Sequence, residues 1–275
     1  MEAKRKRDVA IAAAREAGAL IRENAHRVKK VAFKTSESDL VTDIDKRSEE
    51  IIRRHILQSF PDHDILGEEG VEPGPAASSD ALAEMRDAEH LWIVDPIDGT
   101  TNFVHGFPFF CVSIALAEMG EVTLGIVYDP MREEWFIAEK GKGATVNGER
   151  MRVSRDEKLS ECLMSSGFPS ESHKGAGLFA LRPRVRNVRI AGSAALQLAH
   201  VAAGRVSGYW EWDVNAWDVA AGVLLVEEAG GRVTDTAGRP YDLSVSHILA
   251  TNGHIHDKVA DILAKAHKAP SNDCT

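Results

Sequence analysis

Apolar residues near the start of the chain recur at helical spacing. Val9, Ala13, Ala17, Leu20 and Ile21 share one stripe, which predicts an amphipathic helix over about residues 7–26. A polar loop at 34–38 separates it from Ile44, Ile51, Ile52, Ile56 and Phe60, a stripe that predicts a second helix over about 42–60. Thr42 followed by Asp45 resembles a capping box, and Pro61 stops the helix. Residues 71–79 mix Pro, Gly and Ser without any period and predict a mobile surface loop. From 91 to about 150 the texture changes to short strands at 110–117, 122–128 and 135–138. Met119-Gly120, Asp129-Pro130 and Asn147-Gly148 punctuate them as turns, giving an antiparallel meander. The second half alternates, with strands near 162–164, 185–190, 208–211 and 247–250, and helices over about 193–203, 217–229 and 254–267. Helices and sheets in layers make a mixed α and β architecture, with a frayed tail beyond Pro270.

Composition narrows the class. A chain of 275 residues forms one large domain or two that share a core. Its formal charge of -9 argues against nucleic-acid binding, which needs clustered Lys and Arg. Cys111, Cys162 and Cys274 form no close pair, so neither a disulfide framework nor a Cys-x-x-Cys metal site is supported, and a reducing cytoplasm fits. Arg15 and Glu16 interrupt the early apolar stretch, and no run is long enough to span a bilayer.

The chemistry concentrates where an apolar strand, Leu91 to Val94, runs into Asp95-Pro96-Ile97-Asp98-Gly99-Thr100-Thr101-Asn102. Pro96 prevents a central strand from continuing, which places Asp95 and Asp98 in an exposed turn at the strand end. The segment from Gly99 suits a helix start, whose free N–H groups attract phosphate. Two carboxylates beside such a start conflict unless a divalent cation sits between them, and oxygen-only ligands select hard ions such as Mg²⁺. For a bare Asp-x-x-Asp, simple turn capping is the commoner outcome. Elsewhere the plain readings prevail. Asp45 and Asp218 suit the first turns of helices, Glu69 is a solvated neighbour, and Trp210, Trp212 and Trp217 are core. His254 and His256 are helix-start surface residues, and Cys111 is an inert strand residue.

The run Trp92 to Phe103 resembles the signature of the inositol monophosphatase family of Mg²⁺-dependent, lithium-sensitive phosphatases. Three further segments arrive in family order: Asp39-Leu40-Val41-Thr42-Asp43-Ile44-Asp45, Gly67-Glu68-Glu69, and Ala216-Trp217-Asp218-Val219-Ala220-Ala221-Gly222. The resemblance extends from about Lys34 to Asn252. It implies a layered αβαβα sandwich of the inositol monophosphatase and fructose-1,6-bisphosphatase type, with an antiparallel sheet in the N-terminal half and a mixed sheet in the C-terminal half. It further implies one phosphatase domain over 1–275, with most metal ligands in 1–150 and the substrate pocket and Asp218 in 151–275. Two or three Mg²⁺ ions would be held by Glu68, Asp95, the Ile97 carbonyl, Asp98 and Asp218. Asp45, Glu68 and Thr100 would be catalytic, with Thr100 and Asp45 orienting and deprotonating a water nucleophile and no covalent intermediate. Asp98, Gly99, Thr100, Ser193, Ala194 and Glu211 would meet the substrate, Gly99 and Thr100 at the phosphate and Ser193, Ala194 and Glu211 on the alcohol side. A shorter than usual 167–189 segment bears on the alcohol pocket.

The resemblance also implies a cytoplasmic homodimer acting on myo-inositol 1-phosphate or a similar polyol phosphate. Fructose 1,6-bisphosphate, histidinol phosphate and NADP are rival substrates. Thr101-Asn102 after Thr100 argue against phosphoadenosine phosphate, whose phosphatases often carry Lys there. Some bacterial relatives are RNA-polymerase-associated factors in ribosomal RNA synthesis, which makes a polymerase contact the rival partner.

Overall fold

The computed structural model describes residues 1–25, 31–33, 40–168 and 175–268. The expected loop at 34–38, part of the 167–189 segment, Cys274 and the tail beyond Pro270 lie outside the described residues. In chain order the elements are α1 (Glu2–Asn24), β1 (Val31–Phe33), β2 (Leu40–Thr42), α2 (Asp43–Ser59), β3 (Asp64–Gly67), a 3₁₀ turn at Glu68–Gly70, α3 (Pro75–Met85), β4 (His90–Asp98), α4 (Thr100–His105), β5 (Cys111–Glu118), β6 (Glu121–Asp129), β7 (Glu134–Glu139), β8 (Gly143–Val146) and β9 (Glu149–Arg150). A second 3₁₀ turn at Leu159–Glu161 precedes β10 (Leu163–Ser166), α5 (Ala176–Leu181), β11 (Asn187–Ile190), α6 (Ala194–Ala202), β12 (Gly208–Trp212), α7 (Ala216–Glu228), β13 (Arg232–Thr234), β14 (His247–Thr251) and α8 (His256–Lys268).

Strands β3 to β9 form a seven-stranded sheet in sequence order. From β4 onward it is the expected antiparallel meander, and β3 joins its edge in parallel. The hairpins turn where positive φ is available, at Met119-Gly120 and Asn147-Gly148. The five-stranded sheet runs β11-β10-β12-β14-β13, parallel among β10, β11 and β12 and antiparallel beyond.

Alternation along β4 explains the layers. Trp92 and Val94 face α1 and α2, where Ala13, Ala17, Ile21, Ile52 and Ile56 fill one core. Leu91 and Ile93 face the other way, into a core that α6 and α7 share with Tyr209, Ile248 and Ala250 of the second sheet. The outer face of that sheet packs Met164, Trp210 and Leu249 against Leu181 of α5 and Val259 and Leu263 of α8. The order is therefore helix, sheet, helix, sheet, helix. Gly125 lets β6 and α7 approach closely, since a Cβ there would stand 2.7 Å from the Ala221 carbonyl oxygen.

Three sequence expectations are corrected. Residues 75–79 are not loop but the start of α3, whose Pro75 occupies the first turn, where a missing N–H costs nothing. Asp95 and Asp98 are not exposed but only 2% and 7% accessible. Strand β4 runs through Pro96 because its register against β5 shifts between Asp95 and Asp98, and pairing with β3 has ended at Val94. His256 is fully buried rather than at the surface, while His254 is exposed as expected.

Candidate active site

The end of β4 assembles the site. At Gly99, φ of +99° turns the chain from strand into α4, and a Cβ would stand 3.0 Å from the Gly192 carbonyl oxygen. That closeness brings the turn before α6 against the aspartates. Asn102 locks the junction by donating its side-chain amide to the carbonyls of Phe109 and Ala191, each at 2.7 Å.

Each of three aspartates is oriented by a protein donor. Asp95 Oδ1 accepts from the Ile97 N–H at 3.0 Å. Asp98 Oδ2 accepts from Ser193 Oγ at 2.6 Å and the Ala195 N–H at 2.7 Å, while Oδ1 accepts from the Ala194 N–H at 3.1 Å. Asp218 Oδ2 accepts from the Asn215 N–H at 2.6 Å, completing a capping box at the start of α7. The Thr100 hydroxyl lies 3.1 Å from Asp45 Oδ1 and 3.0 Å from the Ile97 carbonyl oxygen, and its single proton serves one of them at a time. The plain helix-acid readings of Asp45 and Asp218 are true locally, yet Asp45 also reaches the Asp-Gly-Thr segment.

The acids feel one another. Burial first, then the charges of Glu68, Asp98 and Asp218, holds the Asp95 carboxyl well above its usual range. Burial also raises Asp218, with Asp98 and Glu68 adding to it. Asp98 is raised by burial against the opposing bonds from Ser193, Ala195 and Ala194. Glu211 is raised by burial and then by Asp218, Asp98 and Asp213. Among the described residues no three acidic, histidine or cysteine side chains close around one point as oriented. The donor chemistry nonetheless fits a hard cation: neighbouring carboxylates that resist ionising together need a counter-charge, and every proposed ligand atom is oxygen.

Four residues outside the predicted set shape the site. Glu49, 4% accessible, accepts from the Glu69 N–H at 2.8 Å and pairs with Arg53, which holds the turn carrying Glu68. Tyr209 donates its hydroxyl to Glu211 Oε2. Gly167 leaves room for that carboxylate, since a Cβ there would stand 1.9 Å from Glu211 Cδ. Cys111 packs its Sγ 3.7 Å from both Asp98 Oδ2 and Ser193 Oγ, so it is core and also a wall of the site. An acid inside a helix, a glycine just past the end of a strand and a tyrosine two residues from a glutamate are too common to signal this. Trp210 and Trp217 are buried, as expected of core residues.

Residues 3–268 match the inositol monophosphatase family. The fructose-1,6-bisphosphatase/inositol-1-monophosphatase of Thermotoga maritima is 41% identical over 256 residues, covering 93% of this chain and 94% of that protein. The Nus factor SuhB of Pasteurella multocida is 42% identical over 272 residues, 97% of each. Among solved structures, an inositol monophosphatase of Thermotoga maritima superposes with a TM-score of 0.85 at 41% identity, covering 95% of this chain and 97% of that one.

Proposed function

Because the chain belongs to the inositol monophosphatase family and is therefore a phosphatase, we propose that it is a Mg²⁺-dependent phosphomonoesterase for myo-inositol 1-phosphate or a similar small polyol phosphate. The observation that carries the reading is the group of Glu68, Asp95, Asp98 and Asp218: after burial, the charges of Glu68 and Asp98 raise the carboxyls of Asp95 and Asp218. Glu68, Asp95, the Ile97 carbonyl, Asp98 and Asp218 would hold two or three Mg²⁺ ions. When bound, such ions acidify water and neutralise charge on a departing oxygen.

The chain's own groups do the rest. Thr100, within hydrogen-bond reach of Asp45, orients the attacking water, and Asp45 receives its proton. The N–H groups of Gly99 and Thr100, at the start of α4, hold the phosphate oxygens. Glu211 accepts hydrogen bonds from the polyol, beside the turn of Ser193 and Ala194. Phosphoryl transfer asks mainly for positioning and charge stabilisation, so no covalent intermediate is required. We place this chemistry in one domain spanning both halves, since Asp98 in β4 and the turn before α6 form a single hydrogen-bonded unit.

A homodimer is supported by β11, an edge strand of its sheet, beside exposed Phe179 and Ile190. A cytoplasmic setting is supported by the unpaired thiols of Cys111 and Cys162. Among the described residues no helix is long and apolar enough to cross a membrane. A phosphate-release panel over inositol, fructose, histidinol and NADP phosphates, with and without Mg²⁺ and Li⁺, tests the reading. Turnover unaffected by removing Mg²⁺ overturns it. The similarity to proteins named Nus factor SuhB supports a second role at RNA polymerase, and a pull-down from the native host that retains no polymerase removes it.

A further inference from the structure

Ser193 has a role that its place beside the substrate turn does not suggest. The residue is 2% accessible, and its hydroxyl is committed on both sides. As the N-cap of α6 it accepts from the Leu196 N–H, with its backbone extended at φ of -147°. A hydroxyl has one proton, and Ser193 directs it to Asp98 Oδ2 at 2.6 Å. The cap therefore fixes the oxygen, and the fixed oxygen aims the proton.

The first two N–H groups of α6 complete the clamp, Ala195 on the same Oδ2 and Ala194 on Oδ1. A carboxylate offers about four lone-pair sites. Two strong donors occupy Oδ2, and Cys111 Sγ stands 3.7 Å away on the same side. Oδ1 carries one bond, so it keeps the spare lone pair.

We propose that Ser193 is a positioning residue for ion binding: it clamps Asp98 to the start of α6 so that Oδ1 is presented as the ligand oxygen. The proposal rests on the reading of Asp98 as an ion ligand. It makes Ser193 act through Asp98 and not on the substrate's alcohol. It also ties the C-terminal half to the ion site on β4, with no group of α6 needing to touch the ion.

Calorimetric titration of the full chain with Mg²⁺, in the absence of substrate, tests it. Loss of an outer hydrogen bond to a ligand typically weakens metal binding about ten- to a hundredfold. Ser193→Ala should raise the Kd of the binding event that Asp98→Asn removes by that factor, and Ser193→Thr, which keeps the hydroxyl, should restore it. Ser193→Gly keeps most of the cap at a cost of a few tenths of a kcal/mol; it should weaken Mg²⁺ as Ala does, and it serves if Ser193→Ala fails to fold. In the Asp98→Asn background, Ser193→Ala should leave the remaining Mg²⁺ binding unchanged. Unchanged Mg²⁺ affinity in Ser193→Ala overturns the proposal. A lower Tm alone would leave only a helix cap, and a higher KM alone a substrate contact. Wild-type protein that binds no Mg²⁺ brings down the phosphatase reading as well, so the two failures are told apart.

Discussion

His256 provides a measurable acid sensitivity away from the active site. The ring is fully buried, between Thr234 Oγ1 at 2.9 Å from Nε2 and Thr251 Oγ1 at 3.0 Å from Nδ1. Thr234 gives its proton to the Asp235 carbonyl, so it accepts from Nε2–H, and Nδ1 is left to accept from Thr251. Burial first, and then the Arg232 charge, push the pKa down from 6.5 to about 4, against the opposing Asp257. A folded-state value below the unfolded one means that the unfolded chain binds the extra proton between those limits. Stability is therefore fully present above about pH 6.5 and is lost as pH falls towards 4. With these two values, the loss between pH 7 and pH 5 comes to about 2 kcal/mol. The raised carboxyls of Asp95, Asp218 and Glu211 act with the opposite sign, which makes the difference between wild type and His256→Gln the quantity to measure. Glutamine keeps an amide for the two threonines and carries no titratable proton. In urea unfolding with EDTA present, the stability gap between the two proteins should narrow by about 2 kcal/mol from pH 7 to pH 5. A gap of constant width would refute the claim that the fold holds His256 neutral.

Three further outcomes are expected. Asp95→Asn should cut phosphate release by roughly 10³-fold, a loss typical of one preorganised electrostatic contact. It should also raise the metal-free Tm in calorimetry, since it removes one of four mutually repelling acids. Gly167→Ala sets a Cβ 1.9 Å from Glu211 Cδ, so the carboxylate must leave its bond with Tyr209. KM for the polyol phosphate should rise about tenfold, the worth of one charge-assisted hydrogen bond, while Mg²⁺ affinity measured by calorimetry stays the same. Gly125→Ala meets the Ala221 carbonyl oxygen at 2.7 Å and forces β6 and α7 apart, costing about 1–3 kcal/mol in urea unfolding with little change in the site.

Much of the layered plan was legible because periodicity reports which face of an element is buried. The stripes of α1 and α2, the turns of the meander and the helix beginning at about 193 all follow from local chemistry. Residues 75–79 misled because small residues and proline suit both loops and first helical turns, and burial of Leu82 on α3 is a tertiary fact. His256 misled for the same reason, since position at a helix start does not reveal what packs over it.

For the site, the sequence by itself determined the inventory: oxygen ligands of hard-ion type, a helix start beside them, and ordered motifs that identify the family. It could not determine orientation. Whether Asp98 faces solvent, an ion or the start of α6 depends on a strand and a helix 95 residues apart being pressed together, with Gly99 and Asn102 as the fasteners. Glu49 and Gly167 enter the site the same way, through close packing between segments apart in sequence, while Tyr209 reaches Glu211 along its own strand. Local sequence sets what a side chain can bond to, and only the packing of layers decides which partner lies within 3 Å.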